Sequence, residues 1–221
     1  MESIKLVHLL AITILHVFVL KCIAAACFPS TPYPKVGAVF SLRHTALGYC
    51  TTERLRPCRY RVGIGYDIHR LVKSGQEGKP FKLGGVLIPD STVNVIGHSD
   101  ADVMLHALAD AILGAAGCGD IGEHFPDKKA SLANMDSKII LQLALQEAYN
   151  VGYQPRNVDI IVVIQNPRLG RELKRQICAS LSNLLGSNTL VSVKAKTNEG
   201  LDALGRGEAV ACHVVILLEH I

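Results

Sequence analysis

Residues 61–69 read Arg61-Val-Gly-Ile-Gly-Tyr-Asp-Ile-His69, an alternation with a period of two. A strand sends alternate side chains to opposite faces, so Val62, Ile64, Tyr66 and Ile68 share one face while Asp67 and His69 leave together from the other. One strand end thereby offers a carboxylate and an imidazole on the same side. A third candidate follows in His98-Ser-Asp-Ala-Asp102-Val-Met-Leu-His106. Residues 101–116 are small and apolar with helical spacing, which puts Asp102, His106 and Asp110 at i, i+4 and i+8 along one stripe. A carboxylate and two imidazoles with a fourth position open is the ligand pattern of a catalytic zinc, whereas structural zinc is closed by four protein ligands. Taken singly, each residue has an ordinary reading as a strand-end acid, a surface imidazole or a satisfied helix histidine. Ser99-x-x-Asp102 also fits a capping box, so Asp102 either caps the helix or orients His106 from alongside.

The remaining body follows the same periodic logic. Asp136-Ser137 supplies an N-cap to a helix running through Val151 to Gly152, with Ile140, Leu143, Ala144, Ala148 and Val151 as its apolar stripe. Val158 to Ile164 is a continuous apolar run rich in β-branched residues between Asn157 and Asn166-Pro167, which predicts a buried strand. Arg171 to Leu185 is amphipathic through Leu173, Ile177, Leu181, Leu184 and Leu185 and stops at Gly186. Further strands are expected at Leu190 to Lys196 and Ala209 to Leu218. Strands alternating with helices predict an α+β single-domain sandwich, one mixed β-sheet covered by helices.

A chain of 221 residues suits one domain with extensions. Its net charge of +4 is uneven: residues 1–60 hold seven Lys/Arg and two Asp/Glu, leaving sixteen and seventeen for residues 61–221, or +5 and −1. By charge the body is not a nucleic-acid binder. Four of the seven cysteines lie in the leader, and Cys118, Cys178 and Cys212 are scattered, so no disulfide framework or thiolate metal site is indicated. Leu9 to Leu20 is apolar behind Lys5 and ends in Cys22-Ile-Ala-Ala-Ala-Cys27, which predicts a signal peptide over residues 1–27. This run is short for a membrane span, which needs about 20 apolar residues. In residues 28–60, Lys35, Arg43, Arg54, Arg56 and Arg59 face Glu53 alone amid Ser, Thr and Pro, a transit-peptide composition. A signal followed by such a leader predicts a plastid (secondary plastid or apicoplast) reached through the secretory pathway. The mature body, 61–221, is expected to have no stable membrane span. An uncleaved anchor followed by a linker is the alternative.

Five motifs stand in order: Gly65-Tyr-Asp-Ile-His69, His98-Ser-Asp-Ala-Asp-Val, Asp120-Ile-Gly-x-x-Phe-Pro-Asp127, Val193-Lys-Ala-Lys-Thr-Asn-Glu199 and Gly205-Arg-Gly-Glu208. Through them the chain from about Arg61 to Leu218 closely resembles the 2-C-methyl-D-erythritol 2,4-cyclodiphosphate synthase family of the non-mevalonate isoprenoid pathway. The resemblance implies a lyase that closes 4-diphosphocytidyl-2-C-methyl-D-erythritol 2-phosphate into a cyclic diphosphate and expels CMP. It implies one Zn²⁺ per active site on Asp67, His69 and His106, and a Mg²⁺ or Mn²⁺ on Glu199 bridging the substrate diphosphate. His98 and Thr197 take the part of transition-state stabilisers.

The same resemblance implies the substrate contacts. The methylerythritol phosphate falls to His98 and Ser99, to Asp120, Ile121 and Gly122, and to the run Phe125, Pro126, Asp127, Lys128 and Lys129. The cytidine diphosphate falls to Ile164, Gln165, Asn166, Pro167, Arg168, Leu169 and Gly170 and to Lys196, Thr197, Asn198 and Glu199. Arg168, Gly170 and Ala203 depart from residues common in the family, and Ala203 bears on the cavity behind the site. The family is homotrimeric, and Arg206 matches a residue facing a central cavity where an isoprenoid diphosphate can bind. His124, His213 and His220 read as bystanders, and Asp127 and Glu208 also fit structural roles. Two other classes share part of the pattern: a two-metal phosphohydrolase, which calls for further carboxylates, and a non-catalytic isoprenoid-binding protein, which needs neither Glu199 nor Thr197.

Overall fold

The computed structural model describes residues 58–97, 99–125 and 135–221. The expected signal peptide, the leader up to residue 57, and His98, Pro126, Asp127, Lys128 and Lys129 lie outside the described residues. The first long strand is β1 (Tyr60–Lys73). After it come the short β2 (Lys79–Pro80), β3 (Lys82–Leu83), β4 (Val86–Leu87) and β5 (Val93–Ile96), then α1 (Val103–Ala116), the single turn α2 (Ile121–His124) and α3 (Ser137–Asn150). The chain closes with β6 (Tyr153–Val163), α4 (Arg171–Leu185), β7 (Leu190–Lys196), the turn α5 (Asp202–Gly205) and β8 (Ala209–His220). Six strands form one sheet in the order β2-β5-β1-β8-β6-β7; β6 and β7 are parallel and every other neighbouring pair is antiparallel. β3 and β4 make a separate two-stranded ladder. The expected α+β class with one mixed sheet is present, and no helix among the described residues is long and apolar enough to cross a membrane.

The core lies between one sheet face and the helices. Val158, Ile160 and Val162 of β6 and Cys212, Val214, Ile216 and Leu218 of β8 are buried in one cluster with Leu105, Leu108 and Ile112 of α1, Ile140 and Leu141 of α3, and Ile177 and Leu181 of α4. β1 meets α1 differently. Added Cβ atoms at Gly63 and Gly65 would lie 1.9 Å from the carbonyl oxygen of Ala111 and 1.8 Å from that of Ala107. A glycine face on the strand and an alanine face on the helix thus let the two backbones touch, and this sets how far His106 stands from Asp67 and His69. Gly65→Ala should therefore displace α1 and cost about 3 kcal/mol, the upper part of the overpacking range. A thermal melt of the variant checks this, and an unchanged melting temperature would contradict the close packing.

The other face of the sheet is open. Val62, Ile64, Tyr66 and Ile68 are 53%, 73%, 48% and 44% exposed, so the apolar half of the β1 alternation points away from the helices. Val215 on β8 stands opposite Ile64 and is exposed too, and the Tyr66 ring lies 4.8 Å from that of His213.

One apolar stripe and two boundaries differ from expectation. The α3 stripe is Ile140, Leu141, Ala144, Leu145 and Ala148, while Leu143 and Val151 are exposed. β6 begins at Tyr153, upstream of the apolar run, and its register with β8 shifts between Pro155 and Asn157, where the irregularity accommodates a residue that cannot donate to the ladder. The fold also starts ahead of residue 61, since Tyr60 is in β1, Arg59 accepts a backbone hydrogen bond from His220, and the Tyr153 hydroxyl donates to the Cys58 carbonyl.

Candidate active site

β1 and α1 bring the three candidate ligands together. Asp67 Oδ2 lies 3.2 Å from His69 Nε2 and 3.1 Å from His106 Nδ1, and the two nitrogens are 3.2 Å apart. Ligand atoms about 2.0–2.1 Å from a tetrahedral metal are separated from one another by about 3.3 Å, so this triangle has the size of one face of such a site. The second carboxylate oxygen, Asp67 Oδ1, accepts the Ile68 N–H at 2.8 Å, which turns Oδ2 toward the histidines. The rings of His69 and His106 meet edge to face at 90°. Among the described residues these three are the one group of His, Cys, Asp and Glu that can hold a metal ion, and Glu199 is not part of it.

Asp102 proves to be a cap rather than a partner of His106. Its carboxylate accepts the N–H groups of Met104 and Leu105 at 3.1 Å each, closing the N-terminus of α1. It also accepts those of Gly84 and Gly85 at 3.0 and 2.7 Å, which ties the β3–β4 turn to the helix. Burial pushes its carboxyl above the usual range against the pull of these hydrogen bonds. The residues that do touch the far nitrogen of His106 are Ser99 and Ser137. Nothing in the spacing marked Ser137 for this, because it sits at the start of another helix.

The segment around the implied transition-state residue is braced from below. Lys79 donates to the carbonyls of Gly97, at 3.0 Å, and Ser99, on either side of His98. Four residues beyond His106 on α1, Asp110 accepts the Ile121 N–H at 2.8 Å and so anchors the segment carrying Asp120, Ile121 and Gly122. Burial raises the Asp110 carboxyl above its ordinary range. Asp120 itself is exposed and caps the α2 turn through Glu123 N at 2.9 Å, and Phe125 packs against the core.

The expected nucleotide-pocket segments leave the same end of the sheet as the triad. Asp67 pairs with Cys212, Cys212 with Val162, and Val162 with Ala195. The ends of β6 and β7 are therefore level with Asp67, two and three strands away, about 10 and 14 Å at the usual strand spacing. Ile164 N donates to Lys196 O at 2.9 Å and joins the two segments. In the first of them Leu169 is buried while Asn166, Arg168 and Gly170 are exposed, and Gln165 Oε1 is buried without a hydrogen-bond partner among the described residues. In the second, the Thr197 hydroxyl donates to Glu199 at 3.2 Å, and Glu199 holds a positive φ of 50°. Asn198 donates to Asp202 at 2.8 Å, which fixes the start of α5 and with it Ala203. Arg206 is exposed and makes two hydrogen bonds of 2.9 Å to Glu208.

Residues 60–219 match the model of the YgbB family. The chain belongs to the YgbB family. Among its relatives, the 2-C-methyl-D-erythritol 2,4-cyclodiphosphate synthase of Bordetella pertussis is 45% identical over 159 residues, covering 72% of this chain and 95% of the relative. IspF of Plasmodium falciparum, solved as a CDP complex, superposes with a TM-score of 0.61 at 38% identity, over 73% of this chain and 96% of that one. The bifunctional IspDF of Campylobacter jejuni gives 0.67 at 35% identity over 73% of this chain, which spans only 42% of that longer protein. The YgbB match begins where β1 begins. A divalent metal, which membership in the YgbB family implies, suits the donor set of Asp67, His69 and His106.

Proposed function

We propose that the protein converts 4-diphosphocytidyl-2-C-methyl-D-erythritol 2-phosphate into 2-C-methyl-D-erythritol 2,4-cyclodiphosphate and CMP, a step of isoprenoid precursor biosynthesis. An oxygen of the 2-phosphate forms a bond to the β-phosphorus, the bond from that phosphorus to the bridging oxygen breaks, and CMP leaves with the electron pair. The observation that carries this reading is the 3.1–3.2 Å triangle of Asp67, His69 and His106 at the sheet end from which the segments 164–170 and 196–199 emerge. Asp67, His69 and His106 would hold Zn²⁺, and Glu199 would offer a hard oxygen to Mg²⁺ or Mn²⁺. Zinc bound there would supply a Lewis acid for a phosphate oxygen. His98 and Thr197 would stabilise the charge that develops on the reacting phosphate. Ser99 and Asp120 to Gly122, with Phe125, Pro126, Asp127, Lys128 and Lys129, would bind the methylerythritol phosphate. The segment from Ile164 to Gly170 would bind the nucleotide, where the unsatisfied Gln165 Oε1 is an acceptor for a ligand donor.

The test is direct. The purified protein is incubated with the diphosphocytidyl substrate, Zn²⁺ and Mg²⁺ and followed by phosphorus NMR, which should show equal release of CMP and a cyclic diphosphate. Incorporation of oxygen from labelled water into the product phosphates would instead identify a hydrolase.

The assembly we propose is a homotrimer built on the open face of the sheet, with each active site shared by two subunits. The exposed apolar row of β1 and Val215 supports this, since contiguous apolar surface on a strand face marks an interaction site. Arg206 of each copy would line a central cavity that takes an isoprenoid diphosphate. For the leader we propose a signal peptide at residues 1–27 and a transit-like segment over 28–60, directing residues 61–221 to a plastid. A reporter fused to residues 1–60 should enter the plastid, and one fused to 1–27 should be secreted. Cytosolic signal from the longer fusion would overturn the bipartite leader.

A further inference from the structure

The ring nitrogen of His106 that faces away from the triad ends in a chain of hydroxyls closed by a carboxylate. His106 Nε2 lies 2.8 Å from Ser99 Oγ and 2.9 Å from Ser137 Oγ, and the two hydroxyls are 3.1 Å apart. Ser137 Oγ donates to Asp100 Oδ1 in a short contact. The Ser137 N–H reaches the same oxygen at 3.2 Å, and Lys82 Nζ holds Asp100 Oδ2 at 3.2 Å. His106, Ser99 and Ser137 are buried, at 5%, 5% and 0% exposure, while Asp100 at the end of the chain is partly exposed. Burial pushes the Asp100 carboxyl up, but the hydrogen bonds from Ser137 and Lys82 outweigh it and leave it below the usual carboxylate range.

Donor counting sets the direction at the Asp100 end and favours one direction for the rest. An ionised carboxylate only accepts, so the Ser137 hydroxyl proton goes to Asp100 and its lone pairs face His106 and Ser99. The Ser99 hydroxyl has one proton to give. If Nε2 were unprotonated, the single Ser99 proton would serve either Nε2 or Ser137 Oγ, and the other would accept no hydrogen bond from the pair. With the proton on Nε2 both are satisfied. Nδ1 then keeps its lone pair, and Nδ1 is the atom that faces Asp67 and His69. Asp67 pulls the other way, since its Oδ2 lies 3.1 Å from His106 Nδ1 and would take a proton there. Two carboxylates on opposite sides of the ring compete for one proton.

We propose that Asp100, acting through Ser137, is a positioning residue that holds His106 in its Nε2–H tautomer and so sets the metal affinity of the site. This rests on the metal-site reading above. The test strips the purified protein of metal and titrates it with Zn²⁺ against a chelator of known affinity, for wild type, Ser137→Ala, Asp100→Asn, the double variant and His106→Ala. Loss of a partner that orients a metal-bound imidazole costs about 10–100-fold in affinity. Each single variant should therefore lose at least about 10-fold, and the double variant should be no weaker than the worse single, because the two residues act in series. Melting curves of the metal-free variants separate this from unfolding: a variant that melts like wild type and still loses affinity supports the relay. Wild-type affinity in either single variant, or losses that multiply in the double, would overturn it. If those variants bind normally while His106→Ala has lost zinc, the relay alone fails; if His106→Ala also keeps zinc, the metal site and the relay fall together.

Discussion

His106→Ala should abolish tight zinc binding and lower turnover by roughly 10³-fold or more, since Lewis-acid stabilisation of several kcal/mol is lost and about 1.4 kcal/mol is a factor of ten. Among the described residues no fourth His, Cys, Asp or Glu belongs to the cluster and could take the place of His106. The fold should survive, because His106 is held at the edge of the core while α1 is anchored independently by the Asp102 cap and by Ala107 and Ala111 against the β1 glycines. Metal analysis of the purified variant and the phosphorus NMR assay provide the readouts. Full zinc content in a folded His106→Ala protein would sink the assignment.

That prediction rests on a part of the molecule that the sequence announces. Alternation in residues 61–69 is a local property, and Asp67 and His69 fall on one face whatever surrounds them. His106 is legible for the same reason, since helical spacing depends only on its own segment. What the period of two leaves open is which face is buried. The apolar row Val62, Ile64, Tyr66 and Ile68 looks like a core face, yet the helices cover the face of Gly63 and Gly65, because glycines admit a helix backbone that larger residues would hold away. The α3 stripe departs from its expected residues at Leu143 and Val151 for a related reason: which apolar residues of a helix are buried depends on its neighbours. β2 to β4 have two residues each, too few to show any period. Ser137 and Asp100 were invisible as His106 partners because their roles arise only when α3 docks against the loop before α1. Local chemistry is readable in a sequence, and contacts between distant segments are readable only when a motif happens to record them.

The open face carries the second large effect. Ile64→Glu places a carboxylate at the most exposed apolar position of β1, opposite Val215 and two residues from Tyr66. In a monomer this is a tolerated surface change, since the residue is already 73% exposed. In a trimer closed through this face it buries three like charges without partners, and cyclic symmetry repeats the penalty at every interface. The expected result is a folded monomer by light scattering, with a melting curve that remains cooperative. Zinc binding should persist, because Asp67, His69 and His106 all come from one chain, the first two from the opposite face of β1 and the third from α1. Turnover should nevertheless fall by about 10²-fold or more, the scale expected when groups that position a substrate are no longer held in place, because the nucleotide segments 164–170 and 196–199 lie about 10 and 14 Å from the triad within a chain, by strand spacing. Retained zinc with lost activity is the signature that separates a shared site from a damaged one. An Ile64→Glu protein that stays trimeric, or a monomer that turns over substrate at the wild-type rate, would refute the proposal that neighbouring copies complete each other's sites.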